Sequence, residues 1–255
     1  MKLSVIFTLL LFSTPLFAQK GFEFGIRFIP EKSMLINKND LDAGSELDFK
    51  YPVNYYSGGI AVGYNFTSHF GLETNVLFSR QGQTYSGVMG SSTDPNVYSS
   101  LVALQANLAG DTVNGTYQAR SELNCIKVPV MAKISTDNAK RLFFNVLAGP
   151  QLNMIKGVAQ ELNKEDQEYT GLDVDPQDLY KKVTIDGVLA FGLGLNLSSH
   201  FVLSTQARFD YGFQDVEKKN KTYDYQGSTH RFWSADRKAT HNATAGLSIG
   251  VSYKL

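Results

Sequence analysis

Asn242-Ala-Thr-Ala-Gly-Leu-Ser-Ile-Gly-Val-Ser-Tyr-Lys-Leu255 is the stretch that decides the fold. Its odd positions, Ala243, Ala245, Leu247, Ile249, Val251, Tyr253 and Leu255, are all apolar. Its even positions, Asn242, Thr244, Gly246, Ser248, Gly250, Ser252 and Lys254, are all polar or glycine. Side chains alternate across a strand, so this segment reads as a strand between two unlike solvents. Such a strand suits a barrel that is apolar outside and polar inside.

Seven further segments alternate in the same way, at about residues 20–29, 55–66, 69–80, 120–135, 141–152, 183–197 and 200–213. Each is long enough for a tilted strand to cross a membrane, which takes ~9–11 residues. Three connections are short: Thr67-Ser68, residues 136–140 and Ser198-Ser199. Four are long: about 30–54, 81–119, 153–182 and 214–240. Short and long alternate, so up-and-down strands put all short turns on one rim and all long loops on the other. The expected fold is all-β: an eight-stranded antiparallel up-and-down transmembrane barrel with short periplasmic turns and long extracellular loops.

The start of the chain agrees. Lys2, the apolar run from Leu3 to Leu11 and then Phe12-Ser-Thr-Pro-Leu-Phe-Ala18 read as a secretory signal peptide, residues 1–18, cleaved after Ala18. Residues 19–255 are then the barrel domain of an outer-membrane protein. Apolar residues make up 43% of the chain, yet no later window approaches the ~20 consecutive apolar residues of a membrane helix. Formal net charge is zero, without the basic excess that marks nucleic-acid binding. Cys125 is the only cysteine, so an intramolecular disulfide is impossible.

Parity assigns the interior. Glu23, Arg27, Glu73, Asn75, Lys127, Lys133, Asn145, Gln151, Asp186, Gln206, Arg208, Asp210 and Lys254 all point inward. Both signs of charge are present, and an eight-stranded barrel is just wide enough for side chains to fill. The expectation is therefore a lumen plugged by ion pairs. Pro129 and Pro150 interrupt two strands and predict local bulges there. Gly63-Tyr-Asn-Phe-Thr-Ser-His-Phe-Gly-Leu-Glu-Thr74 resembles Gly194-Leu-Asn-Leu-Ser-Ser-His-Phe-Val-Leu-Ser-Thr205. Either a four-strand unit has doubled, or one good turn has arisen twice; both make His69 and His200 turn residues and not a catalytic pair.

Ser121-Glu-Leu-Asn-Cys-Ile-Lys-Val-Pro-Val-Met-Ala-Lys133 resembles a strand of the PorT-like outer-membrane barrels of Bacteroidetes. Val146-Leu-Ala-Gly-Pro150, Arg208-Phe-Asp-Tyr-Gly212 and the closing Asn242–Leu255 stretch resemble later strands of that family. Cys125 stands where the family often has an aromatic residue. The resemblance implies an outer-membrane barrel and no reaction; one member of the family serves in protein secretion.

The loops offer the remaining chemistry. Ser228, His230, Ser234, Asp236 and His241 are the nucleophile and base candidates, without a recognisable catalytic frame. The third long loop is acidic, with Glu161, Glu165, Asp166, Glu168, Asp173, Asp175 and Asp178. It could offer oxygens to calcium but lacks the glycine-containing twelve-residue calcium loop. The fourth long loop alternates Lys218, Lys219, Lys221, Arg231, Arg237 and Lys238 with Tyr223, Tyr225, Phe232 and Trp233, a pattern that could meet lipopolysaccharide phosphates. The apolar stretch 98–108 suggests a short helix or hairpin over the mouth, or a partner surface. The reading is a non-enzymatic structural or interaction protein with no cofactor, metal or catalytic residue assigned. Its expected partners are outer-membrane lipid, lipopolysaccharide and a protein held by the loops. A narrow channel is the first alternative and a lipid-modifying enzyme the second.

Overall fold

The computed structural model describes residues 21–43, 47–50, 53–89, 96–98, 115–164, 167–169, 175–225, 227–231 and 233–255. The expected signal segment and its boundary lie outside them. The ring is built from β1 (Gly21–Asn37), β3 (Val53–Asn65), β4 (Phe70–Met89), β5 (Gly115–Ser135), β6 (Leu142–Lys164), β8 (Val183–Asn196), β9 (Phe201–Gly212) and β12 (Thr240–Lys254). Each pairs antiparallel with its neighbour, and β12 returns to β1, so eight strands close a ring. Short strands β2 (Leu47–Lys50) and β7 (Gln167–Tyr169) add to β4 and β6. The hairpin of β10 (Thr222–Tyr225) and β11 (Ser228–Arg231) stands apart in the fourth loop. A short helix, α1 (Lys38–Asp42), follows β1; Asn37 caps it by accepting from the Asn39 amide at 2.8 Å.

The closure is staggered. Traced through Phe22, Tyr64, Leu72, Ala132, Ala148, Leu189, Phe209 and Ala245, the pairing comes back to β1 at Lys32, ten residues beyond its start. Such a displacement ties the ring to tilted strands, typically by ~35–45°.

The lower part of every strand turns its apolar side outward. Phe22, Phe24, Ile26 and Phe28 of β1, Phe78 of β4, Val130 and Ile134 of β5 and Leu247, Ile249 and Val251 of β12 are exposed. The partners of this belt are hydrocarbon. Aromatic pairs such as Phe22–Tyr64 and Phe201–Tyr253 sit near the short-turn rim, and Phe28–Tyr56 and Tyr211–Phe213 lie towards the other. They match the girdles of membrane barrels.

Four strands run well past their expected ends. β1 continues to Asn37, β4 to Met89, β6 to Lys164, and β5 begins at Gly115. Much of what reads as long loop is therefore barrel wall standing above the belt. The expected proline bulges are absent. Pairing lapses beside Pro129 and Pro150, then resumes in the same register. Each ring nitrogen forgoes one ladder bond, and the strands on both sides hold the register. Gly149 helps, because a Cβ there would lie 2.0 Å from the Val130 carbonyl oxygen. The register shift in this region comes instead between Asn124 and Cys125, where Lys156 is the extra residue.

The repeated motif folds twice into one turn. Thr67 Oγ1 accepts from the amides of His69 and Phe70 at 3.1 and 2.9 Å, and Ser198 Oγ accepts from those of His200 and Phe201 at 3.3 and 3.1 Å. His69 and His200 each share a hydrogen bond with the preceding serine.

Candidate functional site: a filled lumen beneath a loop-built cap

Twelve of the thirteen residues assigned inward by parity are buried, and Lys254 is half-buried at the short-turn rim. They pair across the lumen. Arg27 Nη2 donates to both carboxylate oxygens of Glu73 at 3.1 Å. Lys127 Nζ lies between Glu31, at 3.0 Å, and Asp210, at 3.1 Å. Arg208 bridges Asp210 (2.8 Å) and the amide oxygen of Gln151 (2.6 Å). Lys133 meets Glu23 at 2.9 Å, and Asp186 accepts from Asn153 and Gln151. Lys254 donates to the Asn138 carbonyl and Asn196 Oδ1 across the floor. A buried charge is tolerated only with partners of this kind.

Above Lys127 the interior changes character. Leu35, Tyr85, Tyr98, Tyr117, Leu123, Cys125, Ile155, Leu162, Leu179, Tyr180, Val216 and Trp233 form one buried apolar cluster. It draws on all four outer connections as well as on the raised walls. Tyr98 stacks on Tyr85 with ring centroids 3.7 Å apart, and its hydroxyl shares a hydrogen bond with Ser121 at 2.8 Å. The stretch from Tyr98 onward thus begins as core; residues 99–108 lie outside the described residues.

Arg237 fastens this cap. Its guanidinium donates to both Asp40 oxygens at 2.8 Å, to both Glu217 oxygens at 2.8 and 3.0 Å, and to the Asn96 carbonyl at 2.6 Å. It also lies over the Trp233 ring, 4.8 Å from its centroid. Asp40 comes from α1, Asn96 from the connection after β4, and Glu217 and Trp233 from the connection after β9. One fully buried cation therefore joins three loops. Burial would push the Glu217 carboxyl up, but Arg237 outweighs it and holds the group below its ordinary value. Burial likewise opposes the charge on Arg237, and Glu217 and Asp40 keep it well above the usual range. Burial and the nearby Glu217 charge push the Tyr180 phenol up to about 12.

Arg237 and Trp233 are thereby corrected: they read as members of an exposed basic and aromatic rim, and both are buried. The loop's charges do not form one outward face, because Arg237 is consumed internally and Lys219 is paired with Asp215 and Glu217 at 3.1 Å each. Lys218 and Lys221 are half-buried, and Arg231 and Lys238 are exposed. Asp40, Glu31 and Glu217 were missed. Asp40 and Glu217 sit in connections that carry no parity, whereas Glu31 keeps the inward parity of Glu23 and Arg27 but lies past Pro30, where the outward apolar signature of β1 ends.

The nucleophile and base candidates scatter. His241 Nδ1 lies 2.9 Å from the Gly212 carbonyl oxygen, and its ring stacks on Tyr211. Ser234 Oγ accepts from the Asp236 amide. Ser228 and His230 lie on β11, with side chains outside the described set. In the acidic loop, Asp175 caps a 3-10 turn, Pro176–Leu179, by accepting from the Gln177 amide, and Glu161 is exposed on β6. Glu165, Asp166 and Asp173 lie outside the described residues. Among the described residues, no three His, Cys, Asp or Glu side chains converge as metal ligands.

The family described as "Outer membrane protein beta-barrel domain" matches residues 17–218. The comparison with curated proteins returns no match. Solved structures of similar shape include the outer membrane protein OprG of Pseudomonas aeruginosa, at 10% identity and TM-score 0.44, covering 93% of this chain and 97% of that one. The attachment invasion locus protein Ail of Yersinia pestis, solved with the heparin analogue sucrose octasulfate, matches at 9% identity and TM-score 0.41, covering 93% and 99%. The outer membrane protease OmpT of Escherichia coli matches at 12% identity and TM-score 0.46, covering 95% and 99%.

Proposed function

This chain belongs to the outer membrane protein beta-barrel domain family, and from that premise we propose that it is a non-conducting, non-enzymatic surface protein working through its cap. The observation that carries this reading is the double filling of the lumen. Ion pairs fill the barrel at the level of the belt, and an apolar core fastened by Arg237 fills it above. A solute would have to break both layers. The described parts of the outer connections, instead of lining a channel mouth, meet in one buried core. Where those parts are held by this core and by Arg237, little further ordering is needed on contact, which suits a protein partner. The strand resemblance at Ser121–Lys133 supports kinship with PorT-like barrels of Bacteroidetes, one of which serves in protein secretion.

Single-channel recording of the refolded mature barrel in a planar bilayer tests the reading, with heat-modifiable gel mobility reporting the fold. A folded barrel is expected to remain silent. Steady, reproducible openings would overturn the reading and make the lumen charges selectivity residues. A change in lipid A mass between cells with and without the gene would overturn it in favour of a lipid-modifying enzyme.

A further inference from the structure

We propose that Arg80, Asn124 and Lys156, on the outer wall just above the apolar belt, hold a phosphate group of an outer-leaflet lipid. The argument starts where the belt stops. Phe78 of β4 is 67% exposed and is paired with Ile126 of β5, which is paired with Met154 of β6. The next outward residues on these three strands are Arg80, Asn124 and Lys156. Hydrocarbon-facing side chains thus give way to cations within two residues, about 7 Å of strand. That is the depth at which lipid phosphates lie.

The three residues also line up sideways. Arg80 pairs with Asn124, and Asn124 pairs with Gly157, beside Lys156. Two strand spacings put the β4 and β6 backbones about 10 Å apart, wide enough for one phosphate between the two cationic side chains. Gly157 leaves the wall open at this point: a Cβ there would come no nearer than 3.8 Å to the Asn124 amide nitrogen. No described residue accepts from that amide, so a donor faces the gap between two cations. Lys156 is itself the extra residue of the bulge, and bulges re-aim side chains.

Neighbouring carboxylates do not cancel the charge. Glu122 is held by Arg120 at 3.0 Å and reaches Arg80 only at 3.7 Å; the Arg80 side chain is 55% exposed. Glu161 is the register partner of Arg120, further up the wall. The surplus positive charge therefore sits on Arg80 and Lys156. This site does not depend on the cap being a partner surface.

The test is native mass spectrometry of the full mature barrel released from vesicles that carry bisphosphorylated lipid A or its dephosphorylated form in a phosphatidylcholine background. Wild type is expected to retain the phosphorylated lipid and not the other. Arg80→Gln with Lys156→Gln should lower retention about fivefold per charge removed, with heat-modifiable mobility unchanged, and Arg80→Lys should restore part of it. Neutralising the loop cations Lys218, Lys221 and Lys238 should leave retention unaltered. Equal retention of both lipids, or loss in the loop variant with the wall variant unaffected, would overturn the proposal.

Discussion

The lower and upper halves of the barrel obey opposite rules on the same strands. On β5 below Cys125, Val130 and Ile134 face outward while Lys127 and Lys133 face the lumen. Above it, Gln118, Arg120 and Glu122 face outward while Tyr117, Ala119 and Leu123 are buried. Along β5 the side chains keep one alternation throughout; only their polarity is exchanged. The lower half dissolves in lipid and must hide its charges inside, where they pair. The upper half dissolves in water and encloses a mainly apolar core, crossed by buried polar groups such as Gln81, Ser121 and Asn242. Cys125 and the bulge at Lys156 mark the changeover.

The largest test of that contrast is Arg237→Ala. It would leave Asp40 and Glu217 buried without their cation, a loss of about 3–5 kcal/mol by analogy with broken buried pairs. The effect should stop at the changeover: protease should cut the outer connections, while the membrane ring keeps its heat-modifiable mobility. Acid should act similarly. The Glu217 carboxyl is held below its ordinary value, so its contribution is fully present above that value. It is lost as pH falls below the ordinary carboxylate range towards the folded value. The protection of the cap amides against hydrogen exchange should therefore fall in acid before that of the ring strands. Simultaneous loss of both halves would break the division.

Below the changeover, Lys127→Ala is the corresponding cut. Lys127 is fully buried between Glu31 and Asp210, so its removal leaves Glu31 without a cation and Asp210 with Arg208 alone. The loss should again approach about 3 kcal/mol, moderated if one carboxyl takes up a proton. Here unfolding in urea should shift for the whole ring, and planar bilayers should still show no large steady current, since the apolar core above remains. A stable open channel in this variant would show that the upper filling is not a barrier.

The same contrast explains what could be read in the chain. The lower half was legible because each strand separates two solvents, and one parity rule located twelve buried lumen residues from Glu23 to Asp210. In the sequence the upper half reads as loop. In β1 beyond Ile29 and β4 beyond Arg80, apolar residues such as Leu35 and Tyr85 move to the inner parity, so the outward-apolar signature ends while the strand continues. In β6 the bulge at Lys156 also resets the count: Ile155 is inside on odd parity and Leu162 on even. Arg237, Asp40 and Glu217 carry no periodic signal, and their meeting is a product of how the connections fold together. A buried arginine and an exposed one look alike in a polar loop.

The finest test uses one substitution at two heights on one strand face. Val130 and Gln118 both point outward on β5 and both are exposed. Val130→Arg puts a charge into the hydrocarbon belt, which costs about 2–4 kcal/mol near the bilayer midplane. Gln118→Arg, twelve residues up the same face, meets water and neighbours that already include Arg120; exposed substitutions of this sort stay within about 0.5 kcal/mol. Folding into vesicles followed by urea titration measures both. Intermediate substitutions at Val128, Ile126, Asn124 and Glu122 should then trace the descent between the two values, and the steepest step should fall between Ile126 and Asn124. A gradual slope across all six positions would instead mean that the wall enters the headgroup layer over several residues, and that the changeover inside the barrel and the edge of the membrane outside it are set independently.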